Sequence, residues 1–302
     1  MTASAKSYLR NIYPIRFMLN KLYILLRSIY GYFLKWGYDL RLLSIPSLGE
    51  REQADVVVSL TSYGRRVQEG IVCYSIYSIL RQTLQPKRII LWLAEDEWTE
   101  ETLPKKVAEL TKFGVEIRFC ENMRSYKKLI PTLQLLPDED IITVDDDVLY
   151  PAFLVQQLYS EHLAHPKDII AGIAAAPLPN KPYNLWQNAP GGTEGLSLFP
   201  TGVGGIYYPA HSLKKEMMDY AIAKHYAPFA DDVWFWAAGM IQNTIKRRTE
   251  RTYNSVSFDA IYQYFHSGSA LQHSNVKGHG TLTNNEQIAA TMQYIKETYG
   301  TR

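Results

Sequence analysis

From Ala54 onward the chain alternates between two hydrophobic rhythms. "DVVVSLTS" (55–62) is a β-branched apolar run ending in polar residues, which predicts a buried strand and a loop. "GIVCYSIYSILRQ" (70–82) follows with helical spacing, and "RIILWLAED" (88–96) is a second strand ending in acids. "KKVAELTKF" (105–113) predicts a helix stopped by Gly114, and "VEIRFC" (115–120) a third strand. "YKKLIPTLQLL" (126–136) leads into the fourth, "DIITVDDD" (140–147). Strands alternating with helices predict an α/β fold: a mostly parallel sheet with right-handed crossovers, flanked by helices.

After Pro151 the pattern predicts a helix over 152–165, a strand over 168–175 and a Pro-, Asn- and Gly-rich loop from Pro177 to Gly195. Another strand, "GIYYPA" (205–210), and another helix, "DDVWFWAAGMIQN" (231–243), follow. A capping box of Thr283 and Glu286 opens a last helix, and Gly300 closes it. There is no internal repeat. One domain over 49–302 behind a helical segment over 1–48 accounts for the whole.

That first segment has a different rhythm. Ile15, Met18, Leu19, Leu22, Leu25, Leu26, Ile29, Phe33, Trp36 and Leu40 recur in helical steps, with basic residues on the opposite side of the wheel. Pro14 and Gly31 divide or bend the helix. Charges interrupt it too often for a membrane span or a secretory signal. Residues 1–44 hold seven basic side chains against Asp39, a net of +6, which leaves −4 for the rest of a chain whose total is +2. Such a helix, with its Tyr residues and Trp36, is expected to lie on an anionic membrane surface. Packing on the domain or on a second subunit is the alternative. The negative body argues against nucleic-acid binding.

Composition adds little beyond a globular class: 46% hydrophobic and 21% charged residues leave neither disorder nor a membrane domain. The two cysteines, Cys73 and Cys120, fall in a predicted helix and strand and read as small buried hydrophobes in a reducing compartment. With the basic helix, this places the chain in the cytoplasm, peripheral on the inner face of the cell membrane.

The candidate chemistry begins at Asp145, Asp146 and Asp147. Three adjacent carboxylates repel one another, and a cation turns that repulsion into shared attraction. The triplet ends an apolar strand near mid-chain, where open α/β sheets form their ligand crevice. A glycine-rich stretch, "PTGVGGIYY", and a second acidic pair, Asp231 and Asp232, come later.

"VVVSLTSYGRR", "VDDDVLYP", "TGVGGIYYP" and "ADDVWFW" occur in the order found in metal-dependent glycosyltransferases of the GT-A fold. The chain resembles the bacterial surface-polysaccharide members, and its middle blocks are similar to inverting β1,3-glycosyltransferases. The resemblance covers roughly residues 54–290. It implies a nucleotide-diphosphate sugar donor, a UDP-sugar first, and a glycan or lipid-linked acceptor. It also implies Mn²⁺ or Mg²⁺ on Asp147 and Asp145, bridging the donor's phosphates, with Asp145 and Asp146 facing ribose or sugar. Thr61, Ser62 and Tyr63 would hold the nucleotide base, and Arg65 or Arg66 would reach ribose or phosphate unless both are solvated loop residues. Asp232 matches the general base, with Asp231 as understudy, unless the pair merely caps its helix. Gly202, Gly204 and Gly205 would admit backbone close to the sugar, or form a tight turn. His266, His273 and His279 cluster late, and His273 is the expected third metal ligand. Trp186 would stack on the acceptor, whereas Trp234 and Trp236 read as core. Lys127 and Lys128 would neutralise phosphate or form a solvated face. The rival readings are a nucleotidyltransferase acting on sugar phosphates and a non-catalytic membrane-surface protein. The absence of GxxxxGK[ST] excludes a phosphate-loop kinase.

Overall fold

The structure, a computed structural model, describes residues 22, 26, 29–178, 181–253, 256–257 and 282–300. Val56, Val57, Val58 and Leu60 have no solvent exposure, and strand β1 (Gln53–Thr61) lies inside an eight-stranded sheet. Burial of each such side chain stabilises the fold by about 1.5–3 kcal/mol. The other strands are β2 (Gln85–Ala94), β3 (Glu116–Cys120), β4 (Ile141–Thr143), β5 (Ile169–Ala171), β6 (Glu194–Gly195), β7 (Ile206–Tyr208) and β8 (Lys246–Arg248). Their order across the sheet is β3-β2-β1-β4-β7-β5-β8-β6. β1 to β4 are mutually parallel where they pair, whereas β7 runs antiparallel to both β4 and β5. The mostly parallel α/β sheet expected from the pattern is therefore present. The antiparallel direction of β7 was not readable from a three-residue apolar strand.

The sheet grows outward from β1 in both directions, toward β2 on one side and β4 on the other. Crossovers leaving β1 and β4 thus diverge, and the crevice forms between their carboxyl ends. Register fixes what meets there. Ser59 pairs with Thr143, so three residues on Ser62 stands beside Asp146.

Local structure departs from the sequence reading at two helices. Lys105–Ala108 passes into a 3-10 turn, Glu109–Phe113, before Gly114 ends it at φ 85°. The segment 126–136 is split: a 3-10 turn, Arg124–Lys128, precedes the helix Ile130–Leu135, whose first turn holds Pro131. The helices Asp231–Ile241 and Asn284–Tyr299 stand as expected, the second with its Thr283–Glu286 capping box. Trp234 and Trp236 are core residues. Cys73 is buried as expected, but Cys120 is only half-buried at the end of β3.

His162 stacks on Tyr207 with ring centroids 4.4 Å apart. Its Nε2 lies 3.1 Å from Asp140. Asp140 also accepts hydrogen bonds from the Tyr207 hydroxyl and the Ala210 amide, which ties β7 to the entry of β4. Among the described residues no helix is long and apolar enough to cross a membrane.

Candidate functional site

The acidic triplet sits where β4 runs out, and its three side chains part company. Asp146 turns inward, at 6% exposure, and accepts from Ser62 Oγ at 2.5 Å and from Arg66 Nη1 at 2.5 Å. Burial raises its pKa, against the pull of Arg66 and Ser62. Arg66 Nη2 donates to Asp147 at 2.7 Å, so one guanidinium spans the second and third aspartates. Asp145 remains the most open of the three, at 30% exposure. Its backbone N–H donates to the Tyr150 hydroxyl. Arg66 is therefore not a solvated loop arginine, while Arg65 pairs with Glu69 on its own short helix. Thr61 spends its hydroxyl on the Trp92 carbonyl, and Tyr63 stays exposed at the rim, its ring 5.7 Å from the Arg66 guanidinium.

Lys127 and Lys128 do not form a solvated face, since both are buried. The Lys128 ammonium lies 3.2 Å from Asp145 Oδ1, 2.9 Å from Asp231 Oδ2 and 3.8 Å from Asp232 Oδ1. The Asp231 contact is an ion pair without hydrogen-bond alignment, because that oxygen has no aligned donor. Burial alone would lower the Lys128 pKa, but the three carboxylates together hold it well above its ordinary value. Lys128 is the link that joins the triplet to the second acidic pair. The turn that presents it is braced by the Tyr126 hydroxyl, which donates to the Ala227 carbonyl at 2.6 Å.

The acidic pair does not cap its helix. Ala230 holds the N-cap position, without a side-chain cap, and Asp231 and Asp232 occupy the first turn. Asp232 Oδ2 instead accepts from the Gly202 amide at 2.9 Å. Desolvation pushes Asp232 up to about 7, opposed by Lys128 and reinforced by Asp231 and Asp145. The carboxylate still shows 28% of its side-chain surface. Gln287, fully buried on the C-terminal helix, accepts from the Phe229 amide and holds the turn ahead of the pair.

Gly202 is where the two acidic groups converge. A Cβ there would stand 2.9 Å from the Lys128 ammonium, 3.1 Å from Asp232 Oδ1 and 3.3 Å from Asp145 Oδ1. Only a residue without a side chain leaves that space open. Gly205 supplies a backbone turn at φ 73°, and the Gly204 carbonyl is bonded by the Tyr253 hydroxyl. Beside Asp232 lies an aromatic wall. Trp186 packs against Tyr183, Phe199 and Trp236, with centroids 5.2, 5.5 and 6.1 Å away. Burial first, then the Asp232 charge, pushes the Tyr183 phenol up to about 12.

Asp145 and Asp147 offer the hard oxygens that Mg²⁺ and Mn²⁺ take, and Mg²⁺ sites often use only one or two carboxylates beside phosphate oxygens. The first and third aspartates keep more exposure than the second, although Lys128 and Arg66 already pair with them, so the donor set fits an ion that shares these carboxylates with the two cations. Among the described residues no group of three His, Cys, Asp or Glu gathers around a common point. His266, His273 and His279 lie outside the described residues. The sequence named Lys128 but gave no sign of its burial, and it missed Tyr126 and Gln287 altogether.

No known family profile matches the chain, and no curated protein does. Among solved structures it is similar to UDP-glucose pyrophosphorylase from Acinetobacter baumannii, at 12% identity over 82% of this chain and 99% of that one, with a TM-score of 0.41. It is similar also to residues 1–349 of S. aureus TarS, at 13% identity over 82% and 72% of the two chains, TM-score 0.41. A third is the inositol-1-phosphate CTP transferase from T. maritima, at 14% identity over 78% and 99%, TM-score 0.41. Likenesses this distant decide neither substrate nor reaction.

Proposed function

We propose that the chain is a glycosyltransferase that moves a sugar from a nucleotide-diphosphate donor to an acceptor hydroxyl on a glycan or lipid-linked glycan, with inversion. The observation that carries this reading is the convergence of Asp145 and Asp232 on the open space at Gly202. One carboxylate belongs to the strand-end triplet and the other opens a helix beside an aromatic wall. A transfer by single displacement needs that pairing: groups that hold the leaving diphosphate on one side and a base on the other.

In this scheme the nucleotide lies in the crevice between β1 and β4, with Ser62, Tyr63 and Arg66 on its flank. Asp145 and Asp147 would hold Mg²⁺ or Mn²⁺, which when bound neutralises charge on the departing diphosphate. The acceptor rests against Trp186. Asp232 takes the proton as the acceptor oxygen bonds to the anomeric carbon, and the bond from that carbon to the phosphate oxygen breaks. A base with a pKa near 7 suits this step at neutral pH. Asp231, paired to Lys128, positions the pair.

A screen of nucleotide-sugars for donor turnover, with and without Mn²⁺ or Mg²⁺, tests the reading. Release of nucleoside diphosphate in the presence of metal supports it. Pyrophosphate release from a nucleoside triphosphate and a sugar phosphate, with no nucleotide-sugar turnover, replaces it with a nucleotidyltransferase.

A further inference from the structure

The helix over residues 29–39 is docked on the domain by an unexpected side. Gly31, Leu34 and Tyr38 face inward, and Tyr38 packs on Tyr74 and Tyr77 with centroids 6.2 and 5.3 Å away. Lys35 and Asp39 flank that contact, where Asp39 accepts from the Tyr74 hydroxyl at 2.6 Å and from Lys106 at 2.9 Å. The apolar stripe consequently points to solvent. Leu22, Leu26, Ile29, Phe33, Trp36 and Leu40 follow one another in steps of four and three, and all are exposed, Phe33 at 62% and Trp36 at 60%. Large apolar side chains in an exposed row along the helix over 29–39, about 16 Å long, are not left in water without a partner.

We infer that this stripe is a docking face for an anionic lipid bilayer. Charge selects lipid over a second copy of the chain. Seven basic residues and one acid lie within residues 1–44, and the acid, Asp39, is already held by Tyr74 and Lys106. Two copies side by side would bring +6 against +6. The steps of four and three match a coiled-coil seam, but the residues beside that seam over 29–40 are Tyr30, Tyr32, Gly37 and Asp39, and Asp39 is already paired with the domain. Tyrosines flanking a Trp- and Phe-bearing face suit the boundary between headgroups and acyl chains. Lys35, the described basic residue of this helix, sits beside the domain contact, within about one Debye length of a surface touched by the stripe, so it still feels its potential. The docking holds whatever reaction the crevice performs.

Flotation of the full chain with vesicles tests it. The chain is expected to float with phosphatidylcholine–phosphatidylglycerol vesicles, and about tenfold less with phosphatidylcholine alone or at high salt. Phe33→Ser with Trp36→Ser removes two exposed side chains, so the fold should persist by circular dichroism while binding falls about tenfold or more. An intact chain that stays unbound on the anionic vesicles overturns the inference. So does a double variant that floats as well as the parent. A dimer by light scattering that the double variant converts to monomer would show a second copy covering the stripe, and also overturns it.

Discussion

Replacing Lys128 by Met keeps the length of the side chain and removes its charge. Asp231 and Asp145 then lose a cation at 2.9 and 3.2 Å, and Asp232 one at 3.8 Å. At an effective dielectric constant of about 20, each of the two shorter contacts represents about 5 kcal/mol of gross attraction, most of it offset by the desolvation of the lysine. Asp145 is 30% exposed, so solvent screens its share further. Removing one partner of a buried cluster costs about 3–5 kcal/mol because the remaining charges are stranded. At this chain length about 2 °C accompanies each kcal/mol, so the melting temperature at pH 7 should fall by about 6–10 °C. The loss should depend on pH. Burial already raises Asp232 to about 7, and the variant removes the cation that opposes that rise, so the folded chain holds this carboxyl further above its unfolded value and protonation relieves it. The gap between parent and variant should therefore narrow as pH falls from 7 toward about 4. Thermal melts followed by circular dichroism at the two pH values measure both effects. A variant that melts with the parent at pH 7 would refute the role given to Lys128.

Ser62→Ala removes the donor to the buried Asp146 and should destabilise the chain by about 1.5–3 kcal/mol in urea unfolding, with no change if the contact is incidental. Lys246 is fully buried, its one hydrogen-bond acceptor among the described residues is the Leu196 carbonyl, and burial lowers it to about 7. Between pH 7 and its unfolded value the unfolded chain binds the extra proton, so stability rises with pH, by up to about 1.4 kcal/mol per unit. Lys246→Met should remove that slope, read as the difference between parent and variant at pH 7 and 9. Gly202→Ala should leave a folded chain with impaired donor turnover, because its Cβ enters the space shared by Lys128, Asp232 and Asp145; unchanged turnover would place the substrate elsewhere.

Much of this site was legible because its signals are local. An apolar run ending in "DDD" reads as a strand end at a crevice, and glycines ahead of "GIYY" mark close approach. Lys128 was not legible, because a lysine pair ordinarily faces water. It is buried only because Asp231 and Asp232, far along the chain, fold over it. Gln287 and Tyr126 were hidden for the same reason: each bonds a backbone group of the turn ahead of Asp231, and no spacing rule connects them to it. The N-terminal helix shows the opposite case. Its amphipathic pattern was clear, but the pattern does not say which face meets the domain, and small Gly31 with Tyr38 prevailed over the apolar stripe.

If Asp232 is the base of a glycosyl transfer, as proposed, Asp232→Asn should separate transfer from donor binding when the two are measured independently across pH. The substitution removes the charge with little change in shape. In the parent, kcat/KM should rise with pH through about 7 as Asp232 ionises. In the variant, donor binding should persist while transfer falls by about 10² or more and the rise near pH 7 disappears. A variant that transfers sugar at the parent's rate, with the same pH profile, would contradict the account.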